Sequence, residues 1–194
     1  MKQEKTAGWS AVQTVFLDRD GVINEKAPEG DYVRRQEDLK LLKGAIHAIA
    51  RLNKAGVRVV VVTNQRGVAL GLYGTDDVHA IQSTLGELLA ADGAHLDGFY
   101  FCPHDVGTCN CRKPLTGLFG QARADFPEID AASSVMIGDS LCDIEFGRAA
   151  GMRTVLIEGN PELLRSGTEQ AARQADQCFA SLAEAVDFLL LQSA

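Results

Sequence analysis

The sequence contains no cluster of basic residues and no long hydrophobic run. Its 194 residues carry 19 Lys and Arg against 26 Asp and Glu, which gives a formal net charge of −7. Proteins that bind nucleic acid hold its phosphates with clustered Lys and Arg, so we expect no nucleic-acid partner. No segment has the apolar length that a membrane span requires, and the polar N-terminus has no signal-peptide pattern. We therefore expect a cytoplasmic protein with no membrane partner.

Internal repeats and low-complexity segments are also missing, which argues against a solenoid. Hydrophobic residues make up 46% of the chain, enough for one sizeable core at this length. Residues 1–11 are polar and mixed in charge, and we expect them to be a flexible lead-in. Residues 12–194 then form a single domain. No spare amphipathic helix is evident, which favours a monomer.

Cysteine is scarce, but three of the five cysteines fall close together beside a histidine. In a reducing compartment such clustering indicates a metal site rather than disulfides. Three thiolates and one imidazole supply the ligands of a closed, structural zinc site; the alternative is a set of free thiols. The predicted ligands are Cys102, His104, Cys109 and Cys111. Zinc there would stiffen the loop that presents Arg112 and Lys113.

Segments typical of strands and of helices alternate along the chain. Strands are predicted over about 13–17, 57–62, 98–101, 134–137 and 153–157, with a short one near 178. Helices are predicted over about 44–55, 75–91, 117–124 and 161–173, with a last one ending near 191. Such alternation predicts a doubly wound α/β fold with a parallel, Rossmann-like sheet and ligands at the carboxyl ends of the strands. The charged segment 25–42 is predicted to be a long loop over that edge.

Two carboxylates, Asp18 and Asp20, stand where the first apolar run stops. Side chains alternate along a strand, so both point to the same side, while Arg19 faces the other way and is free to point elsewhere. A carboxylate nucleophile beside a second carboxylate that moves protons is what phosphoryl transfer through an aspartyl-phosphate needs. Gly21 leaves the backbone free to curl around an anion. The alternative is an acidic turn after a strand.

Other reactive or anion-binding side chains follow later strands. They are Thr63 and Asn64 after the second, Lys113 a loop beyond the third, and Asp139 and Asp143 after the fourth. In a parallel sheet these strand ends share one edge. Each residue alone is commonly a cap, a solvated charge or a turn, but together they fill the roles of one catalytic site.

These residues carry a resemblance to the haloacid dehalogenase superfamily of phosphatases. The matching pieces are Asp18-x-Asp20-Gly, Thr63, Lys113 and Gly138-Asp139-x-x-x-Asp143. The resemblance implies a Rossmann-like sheet, a magnesium ion and a phospho-aspartyl intermediate. It implies that Asp18 attacks phosphorus, that Asp20 is the general acid and base, that Thr63 holds phosphoryl oxygens and that Lys113 offsets charge.

The same resemblance implies a Mg²⁺ site made by Asp18, Asp139 and the main-chain carbonyl of Asp20, since Mg²⁺ prefers oxygen ligands. Asp143 either supports this site or begins a helix. His47, His79 and His95 stand at no ligand spacing and are expected to be solvated or capping residues.

The cysteine-rich run, Thr63-Asn-Gln-x-Gly67 and Gly30-Asp-Tyr-Val33 together resemble D-glycero-D-manno-heptose-1,7-bisphosphate 7-phosphatases and histidinol-phosphate phosphatases. This implies no large cap domain and a small phosphorylated sugar as substrate. The favoured one is D-glycero-D-manno-heptose 1,7-bisphosphate, which loses its 7-phosphate; the alternative is histidinol phosphate or another small sugar phosphate. Leu70 and Ser140 replace an Arg and a Lys that are usual in the heptose enzymes.

With those two cations missing, the candidates for contact with substrate are Asn64, Arg66 and Arg112, with Asp31 and Tyr32 at the mouth. Two other classes of function remain. A receiver-like domain also groups acidic residues, a Thr and a Lys around a phosphorylated Asp, but it is shorter and has no counterpart to Asp20. A catalytically silent zinc-bearing scaffold does not explain why every catalytic residue type is present.

Overall fold

One parallel sheet forms the centre of the molecule. The computed structural model describes residue 9 and residues 12–28, 30–159 and 167–192. Within them lie six strands, all paired in parallel: β1 (Thr14–Leu17), β2 (Arg58–Asn64), β3 (Gly98–Cys102), β4 (Ser134–Gly138), β5 (Arg153–Ile157) and β6 (Gln177–Phe179). Their order across the sheet is β3-β2-β1-β4-β5-β6.

Helices cover both faces of this sheet. They are α1 (Ala45–Lys54), α2 (Thr75–Ala91), α3 (Gly117–Asp125), α4 (Leu141–Ala150), α5 (Thr168–Gln174) and α6 (Leu182–Gln192). Apolar side chains of α1, α2 and α6 form one core with the sheet. Those of α3 and α4 form a second core on the opposite face, and α5 packs beside α4. The doubly wound α/β fold predicted from the sequence is confirmed.

The valine run in β2 explains how both cores form. Val59 and Val61 belong to the first core, and Val60 and Val62 to the second, because successive side chains of a strand point to opposite faces. All four are fully buried. Each such side chain contributes about 1.5–3 kcal/mol when it leaves water. A strand of this composition therefore belongs inside a parallel sheet that is covered on both faces.

The register of the sheet aligns the strand ends that carry the candidate site. Leu17, the last residue of β1, lies opposite Val61 of β2 and Ile137 of β4. β2 runs two residues beyond its predicted end, since Thr63 and Asn64 pair with the end of β3. These two residues are therefore held by the sheet and do not belong to a loop.

Residues 18–28 and 30–44 lie between β1 and α1 in the described part of the chain, and a short 3₁₀ turn, Gln36–Asp38, lies among them. The described part of the chain contains no large cap domain over the edge. None of its helices is long and apolar enough to cross a membrane. The predicted helix over 161–173 begins at Thr168, and residues 161–166 lie outside the described ranges. So does the expected lead-in, residues 1–11, except for Trp9, which is fully buried.

Candidate active site

A cavity of about 310 Å³ opens where the carboxyl ends of β1, β2 and β4 meet. Nine of the residues proposed from the sequence line it: Asp18, Asp20, Asp31, Tyr32, Thr63, Asn64, Arg112, Lys113 and Asp143. A carboxylate oxygen of Asp139 lies within 4.8 Å of one of Asp18. The fold therefore gathers the side chains that the sequence spreads over 126 positions, from residue 18 to residue 143.

Asp18 follows β1, and its N–H donates a 2.9 Å hydrogen bond to the carbonyl of Ile137. This bond continues the ladder between β1 and β4 and fixes the position of the residue. Burial raises the pKa of its carboxyl group to about 7; Lys113 opposes the shift, and Asp143 and Asp139 add to it. A fully ionised Asp18 at neutral pH therefore needs more positive charge nearby than Lys113 alone supplies.

Lys113 is buried, with its Nζ 2.9 Å from Asp18 Oδ1 and 2.6 Å from Asp143 Oδ1. The same Nζ donates a 2.7 Å hydrogen bond to the carbonyl of Val62 in β2. Burial by itself lowers the pKa of this amine, but the two carboxylates outweigh burial and raise it. Lys113 is thus a fixed positive charge between two strand ends.

Asp20 accepts hydrogen bonds from three side chains. Arg19 donates through Nη2 at 3.1 and 2.9 Å, Asn24 Nδ2 at 2.8 Å, and Gln65 Nε2 at 3.0 Å. The prediction that Arg19 points away is wrong, because its fully buried guanidinium turns back onto the neighbouring carboxylate. Asp20 consequently has one fixed position beside the cavity.

Gly21 allows Asp139 to approach the turn after β1. The glycine has a φ of +96°, and a Cβ added there would lie 2.3 Å from Asp139 Oδ2. Any side chain at this position would meet both a strained backbone conformation and a direct clash. The turn is therefore shaped to let the carboxylate of Asp139 lie against its backbone.

Three carboxylates, those of Asp18, Asp139 and Asp143, each place an oxygen within 4.8 Å of the others. Such a group of oxygen donors fits a hard cation such as Mg²⁺. Burial raises the pKa of Asp139, while Lys26 opposes the shift. Lys26 Nζ donates to both oxygens of Asp139, at 2.9 and 2.7 Å.

Asp143 has both of the functions that the sequence left open. Its Oδ2 accepts the Ser140 N–H at 3.1 Å and the hydroxyl of the same serine, which caps the start of α4. Its Oδ1 pairs with Lys113. The residue is fully buried, so it joins the beginning of a helix to the ammonium group in the cavity.

Asn64 holds the loop that carries Lys113. Its Nδ2 donates to the Lys113 carbonyl at 3.1 Å, and its Oδ1 accepts the Lys113 N–H at 3.0 Å. A pair of bonds to one residue fixes both the position and the direction of that backbone. Asn64 thus joins the end of β2 to the backbone of Lys113.

Four atoms that could bind a metal ion cluster at the end of β3 and in the loop after it. The distances are 3.6 Å from Cys102 Sγ to Cys109 Sγ, 3.5 Å from Cys109 Sγ to Cys111 Sγ, and 3.2 Å from Cys111 Sγ to His104 Nδ1. Ligands around a tetrahedral zinc ion lie about 3.5–3.8 Å apart, given zinc–sulfur bonds of about 2.3 Å. The cluster therefore has the composition and spacing that could hold a zinc ion.

Comparison with known proteins gives the family. A family model described as HAD-hydrolase-like matches residues 110–185. A Thermosynechococcus vestitus protein named D-glycero-D-manno-heptose-1,7-bisphosphate 7-phosphatase is 40% identical over 188 residues, or 90% of this chain and 94% of that one. A Vibrio cholerae protein named D-glycero-beta-D-manno-heptose-1,7-bisphosphate 7-phosphatase is 37% identical over 191 residues, or 93% of this chain and 97% of that one. The chain belongs to the haloacid dehalogenase family of phosphatases.

Solved structures of this phosphatase family agree with the fold. A D,D-heptose 1,7-bisphosphate phosphatase from B. bronchiseptica, crystallised with magnesium and phosphate, is 33% identical and superposes with a TM-score of 0.80 over 94% of this chain and all of that one. The corresponding protein from Burkholderia thailandensis is also 33% identical, with a TM-score of 0.64 over 91% of this chain and 98% of its own. The activity class is therefore that of a phosphoric monoester hydrolase.

The two arginines proposed for substrate contact lie in different places in this phosphatase. Arg112 lines the cavity directly before Lys113, and its N–H donates to Cys109 Sγ at 3.4 Å. Arg66 is absent from the described residues that line the cavity, and its Nε is 2.6 Å from Asp105 in the cysteine-rich loop. Arg66 thus ties the turn after β2 to that loop.

Lys26, Asn24 and Gln65 belong to this phosphatase site and were not proposed from the sequence. Lys26 bonds to Asp139, and Asn24 to Asp20. Gln65 is buried, and its Nε2 donates to Thr63 Oγ1 at 2.9 Å as well as to Asp20, while its Oε1 accepts the Tyr73 hydroxyl at 2.8 Å. The sequence signals for Gln65 were its place directly after the polar end of β2 and its place in the run Thr63-Asn-Gln-x-Gly67.

Proposed function

We propose that this phosphatase removes the 7-phosphate of D-glycero-D-manno-heptose 1,7-bisphosphate. One observation carries the proposal: the relatives named for this reaction match the chain over nearly the full length of both proteins. The names of these relatives favour the heptose bisphosphate over histidinol phosphate. A cavity lined by four carboxylates, two lysines and an arginine suits a small phosphorylated sugar.

In the proposed mechanism, Asp18 attacks the phosphorus atom and the bond from phosphorus to the sugar oxygen breaks. Asp20 donates a proton to that oxygen, so the sugar leaves as an alcohol and a phospho-aspartate remains. Asp20 then takes a proton from water, and the resulting hydroxide attacks phosphorus. Inorganic phosphate departs and Asp18 is regenerated.

The other side chains position charge for these two steps. Lys113 stabilises the ionised Asp18 and the phosphoryl oxygens beside it, while Thr63 holds a phosphoryl oxygen through its hydroxyl group. Phosphoryl transfer depends mainly on positioning and on charge neutralisation. Asp18, Asp139 and the carbonyl of Asp20 would hold Mg²⁺, with Asp143 close by, and the ion would supply positive charge to the transferring phosphoryl group.

We further propose that Cys102, His104, Cys109 and Cys111 bind a structural zinc ion. All four positions would be protein ligands, which leaves no coordinated water to activate. The expected effect is a stiffer loop in front of Arg112 and Lys113, and the hydrogen bond from the Arg112 N–H to a candidate ligand sulfur supports that connection.

The phosphate that does not react needs a cation of its own. Leu70 and Ser140 carry no charge; Leu70 is 45% exposed, and Ser140 is committed to Asp143. Arg66 is engaged by Asp105, and Lys26 is engaged by Asp139. We therefore assign the non-reacting phosphate to Arg112, since a charge-assisted bond from a guanidinium to phosphate is among the strongest hydrogen bonds.

Phosphate release from a panel of substrates tests the assignment. The panel consists of the alpha and beta anomers of heptose 1,7-bisphosphate, a heptose 7-monophosphate, fructose 1,6-bisphosphate and histidinol phosphate. We expect kcat/KM for one heptose bisphosphate anomer to exceed the value for histidinol phosphate by at least about 100-fold, or about 2.7 kcal/mol. A preference for histidinol phosphate would overturn the substrate but not the reaction class.

The variant Arg112→Ala, assayed with the same substrates, tests whether Arg112 binds the phosphate that does not react. We expect KM for the bisphosphate to rise at least about tenfold and KM for the monophosphate to change less than about threefold. Arg173→Ala, which removes an exposed arginine paired with Glu169 on α5, is the matched control and should change neither. Equal losses for both substrates would show that Arg112 does not contact the second phosphate.

A further inference from the structure

Lys26 lies between two cavities. It lines the catalytic cavity together with Asp18 and Arg112, and it also lines, together with Asp139, a neighbouring cavity of about 570 Å³. Its Nζ is 2.9 Å from Oδ1 and 2.7 Å from Oδ2 of Asp139. Both oxygens of this carboxylate are therefore engaged by one ammonium group.

A divalent ion would need an oxygen of the same carboxylate. Asp139 offers its oxygen within 4.8 Å of those of Asp18 and Asp143, so an ion at this position and the ammonium group of Lys26 compete for one ligand. Two positive groups that share a carboxylate also repel each other. An ion bound through either oxygen would therefore take the place of at least one of the two present bonds from Lys26 to Asp139.

Lys26 is able to withdraw, in contrast to Lys113. The side chain of Lys113 is 1% exposed and bonds to three groups, whereas that of Lys26 is 31% exposed. Among the described residues, the ammonium group of Lys26 donates hydrogen bonds to Asp139 alone. A long, partly exposed lysine can move to water, or to another anion in the same cavity, at little cost.

We propose that Lys26 is a displaceable counter-ion: it occupies Asp139 while the metal is absent, competes with Mg²⁺ for that carboxylate, and turns to phosphate once the metal has displaced it. The inference rests on the proposed magnesium site. It adds a phosphate contact that exists only after the metal has bound, which makes binding of metal and phosphate mutually favourable.

The charges in the cavity support this exchange. Without metal, three neighbouring carboxylates face Lys113, and Lys26 supplies the second positive charge. When a doubly charged ion enters, the charge of Lys26 is no longer needed at Asp139. A phosphate that enters the cavity then gives Lys26 an anionic partner in place of Asp139.

Calorimetric titration of the metal-free protein with Mg²⁺ tests the competition. We expect Lys26→Met to lower the Kd for Mg²⁺ about tenfold, because the competing cation is gone, and Lys26→Arg to stay within about threefold of the parent. Lys43→Met is the matched control. Lys43 is exposed and lines the neighbouring cavity, so its loss removes the same charge without a bond to Asp139 and should change Kd less than twofold.

The same variants, saturated with Mg²⁺, are then titrated with inorganic phosphate. Lys26→Met should weaken phosphate binding at least about fivefold, and Lys43→Met less than twofold. Circular dichroism confirms that each variant is folded. An unchanged Kd for Mg²⁺ in Lys26→Met, or an equal change in Lys43→Met, overturns the competition; unchanged phosphate binding overturns the transfer. Failure of the parent to bind Mg²⁺ at all would instead remove the magnesium site of the proposed function.

Discussion

At the scale of single residues, Asp18 combines a reactive carboxylate with burial. Asp18→Asn keeps the volume of the side chain but removes the negative oxygen that attacks phosphorus. We expect kcat to fall at least about 1,000-fold with no change in circular dichroism. Phosphate release at a rate close to that of the parent would contradict the role of Asp18 as the nucleophile.

The pKa of Asp18 also makes stability depend on pH. Its value of about 7 in the folded, metal-free protein lies above the ordinary 3.8, so the folded state holds the proton more tightly than the unfolded chain does. The contribution of this group to the free energy of unfolding is therefore greatest below about pH 4 and declines as pH rises to about 7.

Asp18→Asn removes that dependence. Without metal, we expect the variant to have a Tm about 3 °C above that of the parent at pH 8, because no buried charge has to form, and a similar Tm at pH 4. Calorimetric scans across this range in the presence of EDTA measure the difference. A parent that gains stability from pH 4 to pH 8 relative to the variant would show that the shift of the pKa has the opposite sign.

The variant Gln65→Leu tests how strongly kcat depends on the fixed position of Asp20. The amide of Gln65 bonds to Asp20, Thr63 and Tyr73, and a small displacement of a catalytic group can cost up to about 100-fold in rate. Gln65→Leu should lower kcat about 10- to 100-fold and change KM less than threefold, as steady-state kinetics will measure. Gln121→Leu, at an exposed position on α3, serves as control. A larger effect on KM than on kcat would assign Gln65 to substrate binding instead.

Residue types at strand ends were enough to predict the gathering of Asp18, Asp20, Thr63 and Lys113, because parallel strands present their carboxyl ends at one edge. The partners that hold them were harder to predict. Lysine and arginine side chains span several rotatable bonds, so the alternation of a strand gives only the direction of their Cβ. For this reason Arg19 was predicted wrongly and the bonds of Lys26 were not foreseen.

At the scale of elements, the loop after β3 depends on its cysteines. Cys109→Ser should remove one proposed zinc ligand, lower the zinc content well below the expected one ion per chain, and lower Tm and kcat together. Cys178→Ser, at a free cysteine in β6, should change none of the three. Elemental analysis beside calorimetry and kinetics gives the result. A parent protein that is free of zinc yet fully folded and active would contradict the structural role of the metal.

The elements themselves were predicted well where composition and pairing agree, as in the valines of β2. The end of β2 was placed two residues too early, because Thr63 and Asn64 are polar. Their backbones are nonetheless paired with Phe101 and Cys102 of β3. Pairing with β3 therefore sets the end of β2. The local sequence of one segment does not reveal which strand lies beside it.

At the scale of the whole molecule, Trp9 belongs to the core on the face of the sheet that α1, α2 and α6 cover. It is fully buried, its ring lies 5.3 Å from that of Phe188 in α6 in an edge-on arrangement, and the guanidinium of Arg153 lies 5.3 Å from its centroid. Burial of such a ring contributes several kcal/mol. Local composition predicted a flexible lead-in, and it could not reveal this distant contact.

Trp9→Ala should therefore destabilise the protein by about 3–4 kcal/mol and leave KM unchanged, because the residue packs against α6 and not in the catalytic cavity. Denaturant unfolding followed by circular dichroism measures the loss. Trp9→Phe, which keeps an aromatic ring at the position, should recover more than half of it. A loss of stability below about 0.5 kcal/mol for the alanine variant would show that Trp9 contributes little to the core.

Both ends of the cysteine-rich loop are attached to the same strand end. At its start, Cys102 pairs with Asn64 in the sheet and accepts the N–H of Gln65 at 2.8 Å; at its finish, the side chain of Asn64 clamps the backbone of Lys113. The loop thus begins and ends beside the same strand end, and the contacts that hold its two ends do not depend on its length. Val106, Gly107 and Thr108 are exposed at its tip, and we therefore expect that a label inserted there will leave the backbone of Lys113 in place.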